Sequence, residues 1–329
     1  MSYFDYSTEK ELLQVKTEKF KDLESRVANK DKYQSRYYCT MTKNQIDNFK
    51  ECGHYIECDD EGNILRANFC RHRFCTVCNK RYSSKKYAIV KELADELNRE
   101  TAPNWIFITL TVKNPDGENL KDTISHLMKS INRFFSCKFF KNRVNGFFRS
   151  LEITYNSKDD TYHPHYHILL AVPSDYYKNP DIYAEAYEWR QVWERSARLD
   201  YSCQFHITAV KGDDLGAAVA EVAKYAVKLS QVVECGEKAL KTVAAAVRGR
   251  RLISFGGILR PMQKDVQMQH KKEFNNRLAD KDESGKITRY NFNTNTGEYE
   301  MFFPYSVNQD GEITRKPCYI NQDGEMIDI

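Results

Sequence analysis

The sequence predicts an α+β fold, a ferredoxin/RRM-like antiparallel central sheet preceded by an N-terminal zinc-binding module. Three observations carry this expectation. Strand-like and helix-like segments after Trp105 follow in the order β-α-β-β-α-β-α, the connectivity of a ferredoxin-like sheet with an added helix. Cysteines crowd the stretch between Cys52 and Cys78 at spacings suited to a metal. The chain has 329 residues and is 41% hydrophobic, enough for one large or two ordinary globular cores.

Each element has its own local reason. In "EKELLQVKTEKFKDLESRVANK", Leu12, Leu13, Phe20, Leu23 and Val27 fall on one side of a leader helix. From Cys39 to Lys80 the pattern breaks up, and "YSSKKYAIVKELADELNRE" resumes as a helix that "TAPN" ends. "WIFITLTV", Trp105 to Val112, has the β-branched composition of a buried central strand. The turn residues "NPDGENL" stop it, and a helix over 119–136 follows, with Leu120, Ile124, Leu127, Met128 and Ile131 on one face. "FFRSLEITYN" and "HPHYHILLAV" read as strands joined by "SKDDTY". A helix with Trp189 and Trp193, the strand "CQFHITAV" and the helix "DDLGAAVAEVAKYAVKLSQ" complete the series. "TRYNFNTNTGEYEMFFP" looks like a hairpin around Asn295 to Gly297. The expected domains are 1–100 (leader helix and zinc module), 101–262 (catalytic domain) and 263–329 (an acidic extension with the hairpin).

The net charge of +4 is unevenly spread. Residues 280–329 hold ten acidic and five basic side chains, which leaves +9 on the first 279. Three basic stretches free of acids, 67–91, 126–151 and 238–264, are interleaved with aromatics such as Tyr82, Tyr87, Phe134, Phe135, Phe139, Phe140, Phe147 and Phe148. That mixture leans towards a polyanion partner. The first twenty residues have no apolar signal-peptide core, and no apolar run approaches the ~18 residues of a membrane span. A cytoplasmic, reducing compartment is expected, where clustered cysteines favour metal over disulfides.

"TYHPHYHILLAV" places His163, His165 and His167 at alternate positions. Strand side chains alternate between faces, so His165 and His167 share one face while Tyr166, Ile168 and Leu170 share the other. Two neutral imidazoles side by side are a half-site for a divalent cation. With the hairpin turn centred near Asp159, Glu152 comes opposite residue 166 or 167 and becomes the third ligand; a slip of one residue would send it to the other face. His163 is a substitute ligand or a phosphate contact. Further on, Glu221 and Tyr225 stand one turn apart on an alanine-rich helix, with Lys224 beside them and Lys228 three residues after the tyrosine. A tyrosine hydroxyl becomes a usable nucleophile beside a metal-bound phosphate or a lysine, and the carboxylate can serve as a base for water.

Taken together, "FITLTV", "HPHYHILL" and "EVAKYAVK", with "FCRHRFCTVCNKR" upstream and "SFGGIL" downstream, resemble the motifs of plasmid rolling-circle replication initiators, single-tyrosine members of the HUH endonuclease superfamily. The resemblance covers residues 50–260. It implies that His165 and His167 are the paired histidines, that Tyr225 attacks the scissile phosphodiester of the plasmid origin and stays joined to the 5′-phosphate, and that Glu221 directs water during termination. Lys228 matches a lysine near the tyrosine and would neutralise the phosphate. Mg²⁺ or Mn²⁺ is the implied catalytic ion, origin DNA, single-stranded or extruded, the implied substrate, and a host helicase and DNA polymerase the implied partners; a homodimer is compatible.

Cys70, Cys75 and Cys78 form C-x₄-C-x₂-C, and one distant ligand would complete a tetrahedral Zn²⁺ site. Cys52 is the choice, because "ECGHY" supplies a turn glycine and resembles the family's Cys-Gly, with Cys58, His54 and His72 as alternatives. Arg71, Arg73, Lys80, Arg81, Lys85 and Lys86 surround the cluster, so they and His163 are expected DNA contacts. A mobilisation relaxase or transposase would share the chemistry. A non-enzymatic zinc-bearing DNA-binding protein would leave the histidines inert, and a small-substrate metallohydrolase would leave the basic stretches unexplained.

Overall fold

The computed structural model describes residues 6–211, 214–223, 236–283, 287–303, 306–307, 313–314, 318–320 and 326–328. These fall into two compact units, one of residues 1–79 with 271–329 and one of residues 80–270. The grouping differs from the linear order expected: the hairpin strands β8 (Thr288–Asn293) and β9 (Glu298–Phe303) belong with the cysteine-rich segment.

In the first unit, α2 (Lys43–Lys50) leads to β1 (Tyr55–Cys58), which pairs antiparallel with both β2 (Ile64–Ala67) and β8, in a sheet ordered β13-β12-β9-β8-β1-β2, where β12 is Cys318–Ile320 and β13 is Met326–Asp328; β10 (Ser306–Val307) and β11 (Ile313–Thr314) pair separately. The leader helix α1 (Tyr6–Tyr33) buries Phe20, Glu24, Val27 and Lys30 along one stripe. Phe20 packs with Ile56, Cys58 and Tyr290. The two buried charges are answered: Glu24 Oε1 accepts the Tyr299 amide at 2.9 Å, and Lys30 Nζ meets Asp31 Oδ1 at 2.8 Å and donates to the carbonyls of Phe49 and Lys50. Removing one member of such a set would leave a buried charge uncompensated.

The second unit is built on a five-stranded antiparallel sheet ordered β6-β3-β5-β4-β7: β3 (Asn104–Thr111), β4 (Gly146–Asn156), β5 (Thr161–Val172), β6 (Phe205–Val210) and β7 (Ile253–Gly257). Strand alternation sorts the side chains onto two faces. Trp105, Phe148, Leu169, Ala171 and Ile253 form one core with α3 (Thr76–Glu100), α7 (Leu215–Ala223) and the helix Leu259–Glu283, through Ile89, Leu93, Val219, Val222 and Leu259. The opposite parity buries Ile106, Ile108, Leu110, Leu151, Ile153, Tyr166, Ile168 and Leu170, on the side of α4 (Leu120–Ser136), which packs against β5, the short α5 (Lys138–Lys141), α6 (Ala186–Ala197) and the helix Glu237–Val247. Phe134, Phe140 and Phe148 are in the core, with Phe134 edge-on to Trp193 at 5.9 Å. These aromatics, read from sequence beside basic residues as part of a polyanion surface, are structural: the turn of each element points them inwards and leaves the intervening Lys129, Lys138 and Lys141 outside.

"SFGGIL" is the edge strand β7 and its exit. Gly257 sits at φ +57°, and a Cβ there would lie 2.1 Å from Asn145 O, the carbonyl that accepts the Ile258 amide. Gly249, at φ +70°, faces open space, with nothing within 4 Å of where a Cβ would stand. Gly257→Ala is therefore expected to destabilise the protein by more than ~2 kcal/mol, and Gly249→Ala by only about 1 kcal/mol, in urea denaturation followed by circular dichroism.

Candidate metal and nuclease site

The β4–β5 hairpin makes the site. Its register sets Asn156 opposite Thr161 and Glu152 opposite His165, so the carboxylate is one to two residues from the position expected, yet on the histidine face. Cross-strand partners in an antiparallel pair project to the same side, and His167 follows two residues on. Glu152 Oε2 lies 3.2 Å from His167 Nε2 and 3.8 Å from His165 Nε2, and the two Nε2 atoms are 3.1 Å apart. Glu152 is 2% exposed and His165 7%.

The outer nitrogens are held from behind. His165 Nδ1 is 3.0 Å from the His163 carbonyl, which can only accept, so Nδ1 carries the proton and Nε2 the lone pair. His167 Nδ1 is 3.2 Å from Thr109 Oγ1, its neighbour in the β3–β5 register. With the Thr109 hydroxyl accepting, both Nε2 lone pairs converge with the carboxylate oxygen, an arrangement that repels itself until a cation joins it. The spacing suits one: edges of an octahedron with ~2.1 Å bonds are about 3 Å long. Burial, and then the neighbouring His167, push His165 down to about 4, so it is a neutral donor at physiological pH. Two histidines and one carboxylate form the facial set that leaves positions open for a substrate oxygen.

His163 stacks on His165 at 4.6 Å and meets Asn114 Oδ1 through Nδ1 at 2.7 Å. Glu221 on α7 reaches the centre, with Oε1 3.9 Å from His167 Nε2. Lys224, Tyr225 and Lys228 lie outside the described residues. Thr109 and Asn114 are contributions that sequence reasoning missed; for Thr109 the available signal is that it alternates with apolar residues in "FITLTV" and shares the parity of the partly exposed Phe107.

In the first unit, Cys52, Cys70, Cys75 and Cys78 come together, with Sγ atoms 3.5 Å (Cys52 to Cys78), 3.6 Å (Cys52 to Cys75) and 3.7 Å (Cys70 to Cys78) apart. A tetrahedron with ~2.3 Å zinc–sulfur bonds has edges of about 3.8 Å. The amides of Cys70, Arg71 and His72 donate to the sulfurs of Cys52, Cys78 and Cys70, respectively. Hydrogen bonds from Cys52, Cys70 and Cys75 hold the Cys78 thiol far below the ordinary thiol range, as a thiolate ligand needs. The alternatives are occupied elsewhere: Cys58 packs with Phe20 and Ile56, His54 meets Asp31 Oδ2 at 2.8 Å, and His72 Nδ1 accepts the Phe74 amide.

The family model described as "Replication protein" matches residues 61–308. The chain belongs to this Rep family of plasmid replication initiators. Similar Rep-family proteins include "Protein rep" of Bacillus amyloliquefaciens, 40% identical over 229 residues that make up 62% of this chain and 66% of that protein. The chain thus matches just under two thirds of that relative's length. "Protein rep" of Lactiplantibacillus plantarum is 32% identical over 250 residues, 71% of this chain and 79% of the relative, and "Protein rep" of a Bacillus species is 38% identical over 228 residues, 62% and 73%. No solved structure gives a significant match. Among the described residues, no helix of this Rep-family chain is long and apolar enough to cross a membrane.

Titration with Mn²⁺ followed by electron paramagnetic resonance is expected to find one tight site that Glu152→Ala abolishes and Thr109→Val weakens roughly 10- to 100-fold, with Thr109→Ser close to wild type. In the first unit, Cys75→Ser is expected to bring zinc content measured with a chromogenic chelator from about one per chain to near zero.

Proposed function

We propose that this chain initiates rolling-circle replication of a plasmid by nicking single-stranded DNA at the origin and later rejoining it. The observation that carries the reading is the buried cluster of Glu152, His165 and His167 with Glu221 at its edge, in a replication-protein family member. The strand order supports a ferredoxin-like HUH nuclease fold: numbered within the sheet, β6-β3-β5-β4 is 4-1-3-2, joined as β-α-β-β-α-β.

Glu152, His165 and His167 would hold Mg²⁺ or Mn²⁺, which supplies polarisation of the scissile phosphoryl oxygen. Tyr225 Oη gives up its proton to solvent as it attacks that phosphorus; the new tyrosyl ester keeps the 5′-phosphate, the bond to the 3′-oxygen breaks, and the leaving oxygen takes a proton from solvent to become the 3′-OH primer. The ester conserves the bond energy for later joining. One tyrosine cannot hold the first end and cut the second, so Glu221 takes a proton from water for the terminating cleavage, and Lys228 offsets phosphate charge. Cys52, Cys70, Cys75 and Cys78 would hold Zn²⁺ structurally. Arg71, Arg73, Lys80, Arg81, Lys85, Lys86 and His163 are the proposed DNA contacts, and a host helicase and polymerase the proposed partners.

Incubation of the full chain with origin-derived single strands and Mn²⁺ is expected to give an SDS-stable protein–DNA band that Tyr225→Phe abolishes. Glu221→Ala should still nick but release DNA at least tenfold more slowly. A band that persists in Tyr225→Phe removes the proposed nucleophile; no band from wild type favours a non-enzymatic zinc-bearing DNA-binding protein.

A further inference from the structure

On the sheet face away from Glu152, β4 carries a cation that no carboxylate among the described residues neutralises. Arg149 is 7% exposed, and its Nε and Nη1 have no hydrogen-bond acceptor among the described residues. Its guanidinium lies over the ring of Tyr166, 5.0 Å from the centroid. A fully charged guanidinium at such depth is ordinarily paired, because taking it out of water costs several kcal/mol or more.

Among the described residues, the chain that enters the neighbouring edge strand adds further positive charge. β4 and β7 pair Arg149 with Ser254, and the chain enters β7 through Arg250, Arg251 and Leu252, whose carbonyl accepts the Leu151 amide at 2.8 Å. Arg250 is aimed by α4, with Nη2 3.1 Å from Lys121 O and 2.8 Å from Ser125 Oγ. Arg251 is exposed and forms no ion pair among the described residues. Burial, opposed by Tyr166, lowers the Arg149 pKa, and Arg251 lowers it further. On the other face of the same rim, Lys86 of α3 lies over the Phe255 ring at 5.8 Å; burial depresses it first, then Lys85 and Arg251. Arg251 thus stands between a buried cation on one face of the sheet and a half-buried one on the other.

We propose that the rim of the sheet formed by Arg149, Arg250 and Arg251, with Lys86 beside it, is a binding subsite for a backbone phosphate of single-stranded DNA. Arg251 grips the phosphate oxygens from the solvent side, and the phosphate supplies the countercharge that Arg149 lacks among the described residues. The proposal rests on the nicking function, since it gives a strand cut at Glu152 an anchor where it passes over the β7 edge to the opposite face, three residues or about 10 Å of backbone along β4. It also explains why the third basic stretch of the sequence, 238–264, has no acid in it.

Two measurements on the full chain test it. Inorganic phosphate, at ionic strength held constant with chloride, is expected to raise the Tm of wild type saturably, and the rise should vanish in Arg251→Ala and in Arg149→Met. Binding of a single-stranded 20-mer should lose affinity with salt less steeply in Arg251→Ala, by about 0.7 in the log–log slope for one lost phosphate contact. Arg251 is on the surface, so its variant reports even if Arg149→Met does not fold. The same phosphate response in Arg251→Ala as in wild type overturns the site, and a lost phosphate response with an unchanged salt slope overturns DNA as its source. Absence of a covalent Tyr225 adduct overturns nicking alone, because neither measurement requires cleavage.

Discussion

The register of one hairpin governs the rest of the second unit. Setting Glu152 opposite His165 brings a carboxylate and two imidazoles within bonding distance of one point, and does so in the interior, where each would otherwise be costly. Everything around them answers that cost. The His163 carbonyl and the Thr109 hydroxyl orient the rings, β3 supplies the threonine by lying next to β5, and α7 caps the face with Val219 and Val222 while bringing Glu221 to the edge. A slip of one residue would turn Glu152 into the layer of Leu110 and Ile168 and scatter the cluster.

The first unit solves a similar problem with different atoms. Its strands are short, three to six residues each, and buried Glu24 and Lys30 occupy positions on α1 that an ordinary amphipathic helix would give to aliphatics. Four sulfurs within reach of one ion, held by backbone amides, supply a fixed point for the loops on either side of β1 and β2. The family match begins at residue 61, so three of the four cysteines lie inside it and Cys52 lies ahead of it.

What the sequence makes legible is whatever depends on local periodicity. The paired histidines, the partner strand and the knuckle of Cys70, Cys75 and Cys78 all follow from spacing. The fourth sulfur follows from a turn glycine and the family resemblance; the carboxylate depends on the turn centre, because a turn centred on Asp159 sets Glu152 opposite Tyr166, and the observed register, one residue away, sets it opposite His165 on the histidine face. Arg149 is not legible and Thr109 only faintly so, through its alternation with apolar residues, since their roles arise from neighbours that meet them across a sheet. Phe134 and Phe140 mislead for the same reason: composition shows them next to lysines, whereas three dimensions separate the two. The pairing of β1 with β8 joins segments more than two hundred residues apart, and nothing short-range announces it.

That pairing also sets an order of events during synthesis. The unit of residues 80–270 is nested in sequence inside the other, so all of its strands have left the ribosome while the outer sheet still lacks β8 and β9. The inner unit can close on its own contacts, whereas β1 must wait for a partner more than two hundred residues further on, and such long-range closure is the slow kind. A nascent chain can therefore assemble its histidine cluster before the sheet beside its cysteines is complete.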